Sequence, residues 1–231
     1  DSIFVLKSIF VFFDILAVIL IGLLLSHFKM NPALALIYGW SPLVLKEIAN
    51  SGHYDSITIF LTLLSLYFIV KNKALAGSIS LACAILTKFY PALLLPLYIK
   101  RIRIRHLLVF AVGVLGMYIP FFIWGNTGMH KVFAGLGIYS QKWAYNGSLF
   151  VILQSVLNTF HLKAGSEFFL AKAITGVVFV ILFLYWAFKR RGEPLDLLKR
   201  ALFVLTALFL LNPVGEPWYF CWAIPFLCFF P

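Results

Sequence analysis

The chain has 231 residues, of which 63% are hydrophobic and only 12% charged, with a formal net charge of +11 and a mean hydropathy of +1.00. That composition excludes a soluble globular domain and places the chain in a bilayer. So basic a balance would point to nucleic acid in a soluble protein, but here the basic residues bracket apolar runs, as orientation in a membrane requires, and no nucleic-acid partner is expected.

The first apolar run, Ile9 to Ser26, is long enough at about 1.5 Å per residue to cross roughly 30 Å of hydrocarbon. So are Leu107 to Trp124 and Phe168 to Phe188. Between and after them lie Ala33 to Leu45, Ser56 to Val70, Ala74 to Ile99, Ala201 to Leu211 and Trp218 to Phe230, which are shorter or interrupted by proline and read as tilted, broken or half-length helices. The expected fold is all-α: a polytopic transmembrane helical bundle with short and broken helices, residues 1–231 forming a single transmembrane domain. The chain starts at Asp1 rather than Met and stops inside the apolar run "AIPFLCFFP", so it reads as a fragment of a longer protein.

Orientation follows from three basic clusters, "KNK" (Lys71, Lys73), "KRIRIRH" (Lys100 to His106) and "KRRGEPLDLLKR" (Lys189 to Arg200), which the positive-inside bias places on the cytoplasmic side. The first two can share a face only if residues 74–99 fold back. Pro91, together with the bias it imposes on Tyr90, breaks a helix near Lys88, so the segment is expected to form a hairpin with its tip outward. Twelve of the nineteen Lys and Arg then lie inside and five outside (Lys7, Lys46, Lys131, Lys142, Lys163), with Lys88 at the tip and Lys172 in a span. The stretch from Gly125 to Glu167 stays outside, and "SLFVILQSVLNTFHL" within it suits an amphipathic or re-entrant segment.

With that topology four polar or proline-rich patches converge on the outer face: "EIANSGHYD" (47–55), "TKFYP" (87–91), "GIYSQKWAYNGS" (137–148) and "NPVGEPWYFCW" (212–222). Ionisable groups beside a bilayer are costly, and their default reading is functional. His53 and Asp55 are two positions apart, and an imidazole beside a carboxylate can orient a hydroxyl or shuttle a proton; Asp55 equally fits as a helix cap. Glu47 and Lys46 fit as a pair that neutralise each other at the surface. Lys88, next to Tyr90, fits either a snorkelling lysine with its ammonium in water or a point charge for a lipid-linked phosphate. Trp143 suits an aromatic belt or, with Gln141 and Asn146, a sugar-binding surface of flat rings and amides. Glu216 caps a helix start or supplies a second carboxylate. The three cysteines, Cys83, Cys221 and Cys228, sit in apolar stretches without metal-ligand spacing, so no disulfide framework is implied; no cofactor is certain, and a divalent metal is possible but not indicated.

The stretches "FFDILAVIL", "YGWSPLVLKEIANSGHYDSITIF", "AILTKFYPALLLPLYIKR", "GIYSQKWAYNGSLF" and "NPVGEPWYFCWAIPF" resemble, in their order, the GT-C superfamily of polytopic glycosyltransferases, in particular bacterial mannosyltransferase-like members that use polyprenyl-phosphate sugars. The resemblance implies an enzyme of a bacterial plasma membrane whose site opens to the extracytoplasmic side. There a sugar, a hexose such as mannose, passes from a polyprenyl-phosphate donor to a glycolipid or glycan acceptor. It places the catalytic base on an aspartate in an outer loop ahead of Asp1, and leaves His53 and Asp55 as supporting catalytic residues. Lys88 and Tyr90 would bind the donor phosphate. Gln141, Trp143, Asn146, Glu216, Trp218 and Tyr219 would bind the sugar or acceptor, with Glu216 standing where similar sequences often carry histidine. A transporter or flippase for a lipid-linked sugar is the main alternative and a non-catalytic assembly subunit the next; the lack of an internal repeat and the one-sided polar patches favour the enzyme.

Overall fold

The computed structural model describes residues 2–99, 101–124, 133–160, 165–189 and 192–231. Lys100, Lys131, Lys163, Arg190 and Arg191, which were counted in the charge distribution, lie outside them. The described chain is helical throughout, the only strand-like pairing among these residues being isolated bridges of Val214 with Tyr145 and Asn146. The main helices are α1 (Ser2–His27), α2 (Asp55–Val70), α3 (Ala74–Thr87), α4 (Ile104–Ile123), α5 (Ala134–Lys142), α6 (Ser148–Asn158), α7 (Ser166–Phe188) and α8 (Pro194–Leu211).

Three of these, α1, α4 and α7, are long and apolar enough to cross a membrane, and a fourth span results if the bent pair Pro42–Asn50 and Asp55–Val70 counts as one. Helices α4 and α7 bury little of themselves in the protein. Val112, Leu115, Val177 and Ile181 are each more than half exposed. An apolar helix uncovered on most sides is stable only against lipid. The chain is an integral membrane protein.

The segments between the long helices break where the sequence forces them to. After α1 the backbone turns at Lys29, in a left-handed conformation, and Asn31 caps a 3-10 turn over Pro32–Ala35 by accepting the Ala33 amide at 3.0 Å. A short helical turn, Leu36–Gly39, leads to Pro42, which starts the next piece. From Leu45 to Asn50 the chain widens into a π-helix. Gly52 then takes a positive φ of 79° with the Lys7 side chain against its back, and the chain bends by 119° into α2. This bend sets residues 47–55 across the end of the bundle.

At the far end of α2, Asn72 takes a left-handed turn and the chain reverses into α3. The two helices approach closely because Gly77 carries no side chain: a Cβ there would meet Ile69 at 2.8 Å. Ser65 donates to the Gly77 carbonyl at 2.7 Å and shares a second bond with the Tyr98 hydroxyl at 3.2 Å. Tyr98 is thus back beside the start of α3. The expected reversal at Lys88 is present: α3 ends at Thr87, Lys88 is extended, and a 3-10 turn over Tyr90–Leu94 followed by Leu95–Tyr98 returns along the bundle. The buried core lies between α1, α2, α3, this returning segment, the first half of α8 and residues 221–229.

The reversal also gathers the basic clusters at one end. His27 meets Lys71 at 3.1 Å, Arg101 donates to the carbonyls of Gly192 and Glu193 at 2.8 and 3.2 Å, and Lys73 shares a groove with Arg103 and Arg105. At the other end Lys7 donates to the Asn50 carbonyl at 2.5 Å, and the polar patches meet.

Candidate functional site

The centre of the site is an ion pair made by two helix ends. Asp55 is the first residue of α2 and is 1% exposed; Lys88 follows the last residue of the antiparallel α3. The Lys88 ammonium donates to both carboxylate oxygens, at 2.7 and 2.8 Å. Trp222, brought in by the C-terminal segment, donates its indole N–H to Asp55 Oδ1 at 2.5 Å. Charge-assisted bonds of this kind are the strong ones, and inside a low-dielectric rim they hold geometry tightly. The expected helix cap is not what Asp55 makes: Tyr54 is the N-cap residue of α2 and the helix has no side-chain cap. The two Asp55 oxygens hold together three separate parts of the chain.

Aromatic rings close over the lysine. Its Nζ lies 4.8 Å from the Tyr54 ring centre, 5.5 Å from Trp222 and 5.8 Å from Tyr219, within reach of the cation–π attraction. Tyr90 stacks beneath Trp222 at 4.1 Å and is itself buried. Lys88 thus does not hold its ammonium free in water as a snorkelling lysine would; it is partnered and mostly covered.

Beside this pair stands a second one. His53 Nε2 is 3.2 Å from Glu47 Oε2, and its ring stacks on Trp218 at 4.0 Å with 23° between planes. The π-helix turns Glu47 toward His53, whose amide donates to the Glu47 carbonyl at 3.0 Å. The expected pairing of Glu47 with Lys46 does not form, and Lys46 donates instead to Ser51 at 3.0 Å. The π-turn bonds residues five apart, which brings Ser51 to Lys46, and the positive-φ turn at Gly52 that follows carries His53 back to Glu47.

The third and fourth patches join through backbone. The Tyr145 amide donates to the Pro213 carbonyl and the Gly215 amide to Tyr145, at 3.1 and 3.0 Å. Both glycines of this crossing are required: a Cβ on Gly215 would stand 2.0 Å from Asn146 O, and one on Gly147 2.7 Å from Pro213 O. Asn146 is exposed at the crossing, with positive φ. Glu216 lies beside the Tyr145 phenol, whose pKa is held above its ordinary value first by desolvation and then by its hydrogen bond to that carboxylate. Asn212 donates to the Tyr139 hydroxyl at 2.7 Å. A cleft of about 280 Å³ opens here, lined by Tyr139, Trp143, Lys172, Asn212, Pro213 and Val214, and Lys172 donates to the Trp143 carbonyl at 3.3 Å. The side chain of Gln141 lies outside the described residues.

His53, Asp55, Lys88, Tyr90, Trp218 and Tyr219 thus form one connected cluster, and Trp143, Asn146 and Glu216 form the crossing next to it. Sequence reading missed Trp222 and Tyr54 as partners of the ion pair, and Tyr139, Lys172 and Asn212 in the cleft. It also passed over Asp14, which sits midway along α1 and accepts a 2.5 Å hydrogen bond from the wholly buried Tyr38. A single carboxylate in an otherwise apolar span was a sufficient signal for it. Among the described residues no three His, Cys, Asp or Glu side chains gather to hold a metal ion.

Two family models match the chain. Residues 2–103 match the N-terminal domain of the alpha-(1->6)-mannopyranosyltransferases and residues 150–231 match the MptB C-terminal domain. Comparison with curated proteins gives no match, nor does comparison with solved structures. Two mannosyltransferase domains, in order and together covering most of an integral membrane chain, show that the protein belongs with the mannosyltransferase-like membrane glycosyltransferases.

Proposed function

We propose that the protein transfers a hexose such as mannose from a polyprenyl-phosphate donor to a glycolipid or glycan acceptor, at the Asp55–Lys88 end of the bundle, and that this end faces the extracytoplasmic side of a bacterial plasma membrane. The observation that carries the reading is the Lys88 ammonium, held by both oxygens of Asp55 under three aromatic rings. The basic clusters at the opposite end support the orientation.

In this reading the isoprenoid tail stays in lipid and the donor phosphate reaches the rim. The bond between the sugar's anomeric carbon and the phosphate oxygen breaks as the acceptor hydroxyl attacks that carbon. The acceptor proton passes to a base, and polyprenyl phosphate departs with its added negative charge. Lys88 has three N–H bonds, two of them committed to Asp55, and the third offsets charge on the leaving phosphate. Asp55 is then a positioning residue, fixing Lys88 and Trp222. Glu47 and Trp218 fix the His53 ring, which orients the acceptor or relays its proton. Tyr90 supports Trp222 from below. Trp143, Asn146, Glu216, Trp218 and Tyr219 contact sugar or acceptor around the cleft. The Asp55–Trp222 contact supports treating residues 1–231 as one helical domain.

Transfer of labelled mannose from a polyprenyl-phosphate donor in membranes tests the reading. Lys88→Ala is expected to abolish transfer while the protein stays inserted and monodisperse. Full activity in that variant overturns it.

A further inference from the structure

At the end of the bundle opposite the ion pair, a groove of about 540 Å³ runs between the turn Asn72–Ala76 and the segment leading into α4, lined by Lys73, Leu75, Arg101, Arg103, Arg105 and His106 among others. Ordinary positive-inside charge is spread along loops, whereas these cations face a single cavity. Among the described residues no carboxylate pairs with Lys73, Arg103 or Arg105.

One contact within the groove points to a missing acceptor. His106 is 8% exposed, and its Nδ1 accepts the Arg103 amide at 3.1 Å. A neutral imidazole accepts at one nitrogen only, so Nε2 then carries the hydrogen. Arg105 Nε also points at that nitrogen, at 3.4 Å, but with the shorter bond at Nδ1 made it finds no acceptor there, and donor stands against donor. An anionic oxygen set between them would satisfy both.

The floor of the groove indicates what brings the anion. Leu75 belongs to the groove and opens an exposed row along α3, Leu75, Ile79 and Cys83, one helical turn apart. An anion with apolar chains can place its charge among the arginines and its tails along that row. We infer that this groove binds the phosphate headgroup of an anionic membrane phospholipid, on the face opposite the Asp55–Lys88 pair and independently of what that pair does.

The test uses the purified full chain in nanodiscs of phosphatidylcholine containing roughly one part in ten phosphatidylglycerol, with protein-bound lipid counted by native mass spectrometry. The parent protein should retain phosphatidylglycerol well above its share of the bilayer; retention in proportion to the bilayer overturns the inference whatever the variants do. Lys73→Gln/Arg103→Gln/Arg105→Gln should lower that enrichment about ten-fold, and Arg103→Lys/Arg105→Lys should keep most of it. The control Lys29→Gln/Lys199→Gln, which removes charge outside the groove, should leave enrichment unchanged. An equal loss in the control would mean diffuse surface attraction. Displacement of the lipid by millimolar inorganic phosphate would mean a free-anion site. Either result sinks the proposal.

Discussion

Asp55 and Trp222, 167 positions apart in the chain, meet in a hydrogen bond of 2.5 Å, on the carboxylate oxygen that also receives Lys88 at 2.7 Å. One oxygen therefore serves an ion pair and a distant indole at once. Removing it disturbs charge balance and chain connection together.

Asp55→Leu leaves Lys88 covered and without its counter-charge. Breaking one side of a buried pair costs about 3 kcal/mol, and the variant should unfold at a clearly lower temperature in detergent. Asp55→Leu/Lys88→Met should recover much of that loss, because the orphaned charge goes with it, yet remain inactive in mannose transfer. If the single variant melts with the parent, the pair contributes no stability.

Trp222→Phe keeps a ring to stack on Tyr90 but deletes the indole donor. The expected loss is about 1.5 kcal/mol, that of a hydrogen bond to a charged group. Transfer should fall about ten-fold, since that energy corresponds to one decade if all of it is felt in the transition state. Initial rates for Trp222→Phe and Trp222→Ala separate the donor from the ring: equal rates would show that the N–H contributes nothing.

Trp218 fixes the plane of His53 by stacking. Trp218→Phe should retain most of the transfer rate and Trp218→Ala should lose it, while Glu47→Gln, which still offers an oxygen to the imidazole, should fall between them. The order of the three rates is the readout. Trp218→Ala with the parent rate would mean the ring's orientation is immaterial.

Gly147→Ala and Gly215→Ala each drive a methyl into backbone carbonyl atoms at the Tyr145–Val214 crossing. Overpacking against backbone costs about 1–3 kcal/mol. Both variants should show lower melting temperatures and weaker transfer, with Gly215→Ala the worse because its contact is closer. Gly116→Ala, in α4, where nothing stands within 4 Å of an added Cβ, should behave as the parent does.

Much of this was legible from local signals. Pro91 and the restriction it places on Tyr90 marked the break at Lys88, and the basic clusters then required the chain to reverse there; the polar patches followed to one end. Partners were less legible. That Lys88 meets Asp55 depends on the register of α2 against α3, which Gly77 and Ser65 set and no periodicity announces. Glu47 meets His53 instead of Lys46 because residues 45–50 wind as a π-helix, a local state without a distinctive composition. Trp222 reaches the ion pair only through tertiary packing of short, proline-started turns whose sequence reads simply as apolar.

The segment matching one family model ends at residue 103 and the segment matching the other begins at residue 150, yet the carboxylate stands in the first and the indole in the second. Neither piece holds a finished cluster. A chimera that exchanged one piece for its counterpart from a distant relative would have to bring a matching residue at the far side of the seam, so positions 55 and 222 should be inherited as a couple even where their neighbours diverge.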